Sequence, residues 1–184
     1  METRFLKVLF SYIGLFLTIW LKRDLAIAYM LYLPLLIVPK KHWESYGITL
    51  KSWEKSLKLC ALASLIFLLP FTIASIALSI SQGFRGITFS AALYQFIGVA
   101  LPEELFFRGY LQTEISKLTL NPWKSIILTS ILFTVVHLFK GITPVNVGVF
   151  LPSLIFGYLR EETGSILAST IFHALSNIIF FSLF

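Results

Sequence analysis

The chain has 184 residues, of which 57% are hydrophobic and only 13% charged, and its mean hydropathy is +0.85. An average soluble domain has about 45–50% apolar and about 25% charged residues, and a folded sphere of this size cannot hide so much apolar surface from water. The composition therefore excludes soluble, disordered and fibrous proteins and predicts a protein that crosses a membrane several times.

Seven apolar stretches follow one another along the chain, and each predicts a helix. They cover Phe5–Leu21, Leu25–Val38, Leu57–Ile80, Phe89–Leu111, Trp123–Phe139, Pro144–Leu159 and Ser165–Phe184, with the fourth continuing as helix to about Leu118. Because Pro34 interrupts the short second stretch, six or eight passes are alternatives to seven. The pattern predicts an all-α, polytopic transmembrane helix bundle that forms a single integral membrane domain over residues 1–184. Seven spans of about 20 residues leave no room for a separate soluble domain.

The N-terminal stretch is basic and then apolar, as in a signal peptide. It ends at Trp20-Leu21-Lys22-Arg23 without a small-residue cleavage site, so we expect a first spanning helix that is retained. The longest polar stretch, PKKHWESYGITLKSWEKS, follows the second helix and suits the lipid headgroup layer. The single cysteine, Cys60, lies in an apolar run, which excludes an internal disulfide.

Lysine and arginine residues are distributed unevenly between the two sides of the predicted bundle. The N-terminal side has ten, which are Arg4, Lys7, Lys40, Lys41, Lys51, Lys55, Lys58, Lys117, Lys124 and Arg160, and the opposite side has four, Lys22, Arg23, Arg85 and Lys140. The positive-inside rule then predicts a cytoplasmic N-terminus and, with seven passes, an external C-terminus. The net charge of +6 accordingly indicates the lipid bilayer as a partner, and no nucleic acid.

Several polar side chains lie within the apolar stretches, where an ionisable group costs about 2.5–3.5 kcal/mol on insertion scales. They are Glu103, Glu104, Arg108, His137 and His173, together with the amide of Asn177. Glu104 and Arg108 are four residues apart and can pair on one helix face, and His173 and Asn177 share a face in the same way. Glu103 is rotated by about 100° from Glu104, which leaves it without an obvious cation.

Each of these residues taken alone has a structural explanation, as an ion pair or as an interhelical hydrogen bond. Their depths favour a shared site. With a rise of about 1.5 Å per residue, Glu103, His137 and Asn177 each lie about 21–22 Å from the N-terminal-side end of their helices. Three helices can therefore bring these groups to a similar level inside the bundle.

Such a set of side chains is suited to activating water. A carboxylate and a histidine that hold one water form a general base with an orienting partner, and a second histidine with an amide donor can stabilise an oxyanion. The alternative is a metal ion such as zinc, held by Glu103, His137 and His173 with a fourth position open for water. Either version predicts hydrolysis of an amide or ester bond at an active site inside the bundle.

Three short motifs carry a resemblance to a known family. PEELFFR at 102–108 contains EExxxR, FTVVH at 133–137 matches FxxxH, and HALSN at 173–177 matches HxxxN. In this order on successive helices, they resemble the CPBP group of intramembrane endopeptidases, which contains the type II CAAX prenyl endopeptidases and the bacterial Abi or bacteriocin-processing proteins. The resemblance covers about residues 89–184, the expected catalytic core, while the first three helices match only in kind.

The resemblance implies a role for each motif residue. Glu103 would be the general base, His137 would help to position the water, His173 and Asn177 would form the oxyanion site, and Glu104 and Arg108 would support the site. It also implies a glutamic-type reaction without an obligatory metal cofactor. The implied substrate is a membrane-anchored protein or peptide, cut near its membrane-embedded end by CAAX-type or C-terminal-anchor (sorting-type) processing.

Two readings without catalysis stand beside this one. The alternative function is that of a catalytically silent membrane scaffold or a bacteriocin immunity protein of the same fold. A small transporter is disfavoured because the sequence has no inverted repeat. In each case we expect an integral protein of a prokaryotic cell (inner) membrane.

Overall fold

The computed structural model describes residues 2–79 and 86–184, and this part of the chain is helical without any strand. Its helices are α1 (Glu2–Leu21), α2 (Arg23–Ile37), a 3-10 helix (Lys40–Tyr46), α3 (53–79), α4 (89–119), α5 (Pro122–Leu138), α6 (Pro144–Gly148), α7 (Phe150–Thr163) and α8 (Leu167–Leu183). The predicted all-α class is confirmed. Ile80, the predicted end of the third helix, and Arg85, one of the counted cations, lie outside the described residues.

Two elements differ from the seven predicted stretches. The sixth stretch is divided into the short helix α6 and the longer helix α7. Pro152 has no N–H to offer the carbonyl of Gly148, four residues earlier, which explains a break at this point. The polar stretch after α2 contains a 3-10 helix that the sequence pattern does not predict.

Two of the described helices are long and apolar enough to cross a membrane, Glu2–Leu21 and Trp53–Leu78. Pro122–Leu138 and Leu167–Leu183 are apolar but have 17 residues each, somewhat short of the usual span. The bundle of seven passes therefore stays a prediction.

The structure exposes large apolar side chains and buries charged ones, the opposite of a water-soluble protein. The large apolar side chains of Leu36 and Leu78 are both 80% exposed, whereas Glu104 and Arg108 are 0% exposed. An apolar outer surface around buried charges is what a lipid environment favours, because the charges then find partners only inside the protein.

Two apolar clusters form the core. The first joins α1, α2, α4 and α5 through residues that include Leu15, Phe106, Leu111 and Phe133. The second joins α3, α7 and α8 through residues that include Cys60, Phe156 and Phe172. The buried charges of α4 lie where the two clusters meet, since the Arg108 guanidinium contacts rings of both.

The 3-10 helix is held against the ends of α4 and α7. Arg160 of α7 donates from Nη2 to the carbonyl of Ser45 at 3.0 Å and to Oγ1 of Thr113 at 3.1 Å. Gly47, which ends the 3-10 helix, has a left-handed backbone conformation with φ 75° and accepts a hydrogen bond from the Ile166 amide at 3.0 Å. These contacts fix the ends of α4 and α7, which carry the buried Arg108 and the ring of Phe156 that faces it.

Candidate functional site

The α4 helix widens on both sides of the two glutamates. Wide turns with i→i+5 hydrogen bonds cover Gln95–Ala100 and Leu105–Leu111, and the α-helical turn Leu101–Glu104 lies between them. Pro102 cannot donate a backbone hydrogen bond, and a wide turn before it accommodates the loss. Such turns are frequent at functional sites, and they change the direction in which neighbouring side chains point.

Glu104 and Arg108 form the buried centre of the site. Nη1 of Arg108 donates to Oε1 of Glu104 at 2.9 Å, the contact that the four-residue spacing predicts. Nη2 of Arg108 donates to Oγ of Ser153 on α7 at 2.7 Å and to its carbonyl at 3.3 Å. Because neither charged side chain reaches solvent, this pair depends on its partners for stabilisation.

Aromatic rings enclose the guanidinium. The Arg108 Cζ lies 4.4 Å from the ring centroid of Phe133 and 4.9 Å from that of Phe156, which is cation–π geometry. Phe156 also stacks on the imidazole of His173, with centroids 4.5 Å apart and planes inclined by 14°. One ring therefore orients both the arginine and the histidine.

His173 connects the two glutamates. Its Nδ1 lies 2.9 Å from Oε1 of Glu104, and because that oxygen belongs to a carboxylate paired with Arg108, Nδ1 carries a proton and donates. The opposite nitrogen, Nε2, lies 3.7 Å from Oε2 of Glu103. The sequence leaves Glu103 without an obvious cation, and the structure gives it this histidine as its neighbour.

Glu103 differs from Glu104 in how it is satisfied. Oε2 of each is buried without a hydrogen-bond partner among the described residues, but Oε1 of Glu104 accepts from Arg108 and His173, whereas Glu103 accepts no hydrogen bond there. The Glu103 side chain is also 15% exposed, while that of Glu104 is fully buried. A carboxylate removed from water without such a partner is costly, so the geometry marks Glu103 as the group with spare hydrogen-bonding capacity.

His137 lies near the end of α5, beside the ring of Phe133, which begins the same motif. Its Nδ1 is 3.0 Å from the carbonyl of Phe133, and since a carbonyl only accepts, Nδ1 donates and Nε2 is left as an acceptor. The two rings lie 4.5 Å apart. His137 is near enough to Glu103 for an electrostatic interaction, without a direct hydrogen bond between them in the structure.

Asn177 contacts a residue that the motifs do not include. Its Nδ2 donates to Oε1 of Gln95 on α4 at 3.2 Å. Gln95 was detectable as an amide within an apolar stretch, eight residues before Glu103. Ser153, which accepts from Arg108, is the other contact residue outside the motifs, and an isolated serine gives no comparable signal in the sequence.

The structure connects four of the predicted residues in the order Arg108, Glu104, His173 and Glu103. Asn177 lies one turn beyond His173 on α8 and contacts Gln95. His137 approaches through Phe133. The arrangement offers a carboxylate for proton transfer, imidazole nitrogens for water and for a developing negative charge, and an amide donor.

The metal alternative does not match the observed arrangement. Among the described residues, no group of three His, Cys, Asp or Glu side chains is arranged to hold a metal ion. Glu103, His137 and His173 thus do not form a ligand set in this structure.

Comparison with known proteins gives one finding. The family model described as "Type II CAAX prenyl endopeptidase Rce1-like" matches residues 83–179, which include all three motifs. No curated protein and no solved structure matches the chain.

Proposed function

The chain belongs to the Rce1-like family of type II CAAX prenyl endopeptidases, a family of membrane-embedded proteases, and from this premise we propose that it is an intramembrane endopeptidase that uses Glu103 to activate water. One observation carries the proposal. Both glutamates have a buried Oε2 without a hydrogen-bond partner among the described residues, but Glu103 forms no hydrogen bond at either oxygen there, whereas Oε1 of Glu104 is bonded to Arg108 and His173. A costly carboxylate without hydrogen bonds, beside one held by an arginine and a histidine, is expected where a substrate or water completes the site.

The first step of the proposed reaction is attack by water. Glu103 removes a proton from the water while the water oxygen bonds to the carbon of the scissile carbonyl. Nε2 of His137 accepts a hydrogen bond from the second hydrogen of that water, because its Nδ1 proton is used by the Phe133 carbonyl. Water is thereby held between an acceptor and a base.

The second step is collapse of the tetrahedral intermediate. Its oxyanion receives hydrogen bonds from Nε2–H of a protonated His173 and from the amide of Asn177. Once Glu103 has taken the proton, it no longer competes for Nε2–H, which lies 3.7 Å away. Glu103 then gives the proton to the leaving nitrogen as the C–N bond breaks, which restores the carboxylate.

Glu104 and Arg108 support this reaction without contacting the substrate. The Glu104 carboxylate accepts a hydrogen bond from Nδ1–H of His173 and thereby fixes the direction in which Nε2 points. Arg108 and Ser153 hold the carboxylate in place from the opposite side. We infer a metal-free reaction, as the resemblance of the three motifs implies.

The proposed substrate is a membrane-anchored protein or peptide that is cut near its membrane-embedded end. Because the family model is that of CAAX prenyl endopeptidases, the first probe is a peptide that ends in a farnesylated CAAX sequence. Processing of C-terminal anchors by a sorting-type reaction is the second substrate class, and it uses the same catalytic groups.

The decisive experiment compares purified wild-type protein with Glu103→Gln in liposomes that contain an internally quenched, farnesylated CAAX peptide. We expect the wild type to release the C-terminal tripeptide, identified by mass spectrometry, and Glu103→Gln to release none above background. Glu54→Gln is the matched control, because Glu54 is exposed at the start of α3 and should leave the rate unchanged. A Glu103→Gln variant that cleaves at the wild-type rate would overturn the mechanism.

A second experiment covers substrates outside the CAAX class. Termini of membrane and secreted proteins are compared between host cells that express the wild type and cells that express Glu103→Gln. New termini that depend on Glu103 would support sorting-type processing. If all termini are unchanged while the variant still produces the same effect on the host as the wild type, the function as a silent scaffold or immunity protein replaces the protease hypothesis.

The orientation of the chain in the membrane is a further part of the proposal. We infer a cytoplasmic N-terminus from the excess of cations on the N-terminal side. Cys60 is the single cysteine, so cysteines introduced at Lys51 and Lys140 in a Cys60→Ala background report each side separately. An impermeant maleimide should label position 140 in intact cells and position 51 only after permeabilisation. The reverse pattern would invert the topology.

A further inference from the structure

Gln95 makes a side-chain contact between α4, which carries Glu103 and Glu104, and α8, which carries His173. Its Oε1 accepts a hydrogen bond from Nδ2 of Asn177 at 3.2 Å. Both side chains are half-buried, and within the described residues neither side chain has another hydrogen-bond partner. Gln95 is also the first residue of the wide turn Gln95–Ala100, which separates it from Glu103.

This contact is a second side-chain hydrogen bond between α4 and α8 among the described residues. The first joins Glu104 to His173, and Asn177 lies one turn beyond His173 on the same face of α8. The two helices run in opposite directions here, since the earlier residue of α4 meets the later residue of α8. Gln95 therefore holds the Asn177 side chain against α4, on the face of α8 that also carries His173.

The orientation of the Asn177 amide decides what it offers to a substrate. One end of an asparagine amide donates two hydrogen bonds and the other end only accepts. When Gln95 accepts from Nδ2, the donor end is directed towards α4, and the second Nδ2 hydrogen stays free for another acceptor. Without that partner, the amide can rotate and present its oxygen instead, which would repel a negatively charged oxygen.

We propose that Gln95 is a positioning residue, which fixes the donor end of the Asn177 amide towards the oxyanion of the substrate. This inference rests on the proposed function. The simpler explanation is that Gln95 and Asn177 form an interhelical hydrogen bond that stabilises the bundle and nothing else. The two explanations differ in whether the loss of the contact lowers kcat.

The test uses variants of Gln95 with and without an acceptor oxygen, assayed in liposomes with the quenched farnesylated CAAX peptide. Gln95→Met is similar in length and lacks the acceptor, and we expect kcat to fall about tenfold with KM unchanged. That is less than the 10²–10³-fold loss typical when an oxyanion donor itself is removed, which we expect for Asn177→Ala. Gln95→Glu keeps an acceptor and should retain kcat within about threefold of the wild type.

A double variant separates positioning from stabilisation. Gln95→Met in the Asn177→Ala background should lower kcat no further, because the group that Gln95 positions is already missing. Melting temperatures of all variants are measured alongside, and Ser90→Ala is the control for an exposed polar residue of α4. If Gln95→Met does not accumulate, Gln95→Ser replaces it, since the shorter side chain cannot reach Asn177.

Each outcome decides for or against a specific statement. A wild-type kcat in Gln95→Met, or independent and multiplying effects of Gln95→Met and Asn177→Ala, would overturn the positioning role. The proposed function fails separately, when the wild type leaves the peptide intact or Glu103→Gln cleaves it as fast as the wild type. Activity that depends on Glu103 but not on Gln95 therefore refutes only the present inference.

Discussion

Replacement of Arg108 by methionine tests whether the buried ion pair supports the site. The substitution keeps an unbranched side chain but removes the hydrogen bond to Glu104 at 2.9 Å and the one to Oγ of Ser153 at 2.7 Å. It also removes the cation from between the rings of Phe133 and Phe156. The carboxylate of Glu104, which is 0% exposed, is then left beside His173 without its arginine.

The magnitude follows from the burial of both partners. Removing one member of a buried ion pair costs about 3–5 kcal/mol, because the remaining charge is uncompensated. At about 2–4 °C per kcal/mol for a chain of this size, the melting temperature should fall by about 6–20 °C. Glu103→Gln should shift it by only about 2 °C, since that carboxylate has no hydrogen-bonded partner at Oε2 to lose. Both variants should be inactive, for different reasons.

Thermal unfolding in detergent micelles, followed by the fluorescence of the four tryptophans, measures this difference. The double variant Glu104→Gln/Arg108→Met is the control, and it should recover part of the lost stability because no unpaired charge stays buried. The reasoning is refuted if Arg108→Met has the same melting temperature as the wild type, or if the melting temperature of Glu103→Gln is as low as that of Arg108→Met. A double variant no more stable than the single one would also contradict it.

Three further predictions concern neighbouring features. Phe156→Leu removes the ring stacked on His173 and should lower kcat about tenfold in the peptide assay, with a modest loss of melting temperature. Gly47→Ala should destabilise the protein by about 1–2 kcal/mol in thermal unfolding, because φ is 75° and the new Cβ would lie 3.2 Å from Nε of Arg160; Gly148→Ala, with open space at its Cβ, is the control and should be neutral. Treatment with 1,10-phenanthroline should leave cleavage unchanged, and activity that is lost and then restored by zinc would refute the metal-free mechanism.

Contacts within one helix could be predicted from the sequence, because the helical repeat fixes which residues share a face. The pairing of Glu104 with Arg108 is the clearest case. Contacts between helices could not be derived in this way. That His173 would donate to Glu104 and lie 3.7 Å from Glu103 depends on how α4 and α8 are staggered, and no spacing within either helix contains that information.

The wide turns of α4 explain why the contact of Gln95 with Asn177 does not follow from helical spacing. Directions deduced from 100° per residue hold over one turn of regular helix, but Gln95 and Glu103 are separated by a turn with i→i+5 hydrogen bonds. Their relative orientation therefore cannot be calculated from their separation in sequence. The chemical signal is present all the same, because an amide in an apolar helix needs a partner as much on α4 as on α8. Neutral amides within the apolar stretches thus show, as ionisable side chains do, which residues need a partner. They do not show which amide meets which, since Asn146 also lies in such a stretch, and only the packing of α4 against α8 brings Gln95 to Asn177.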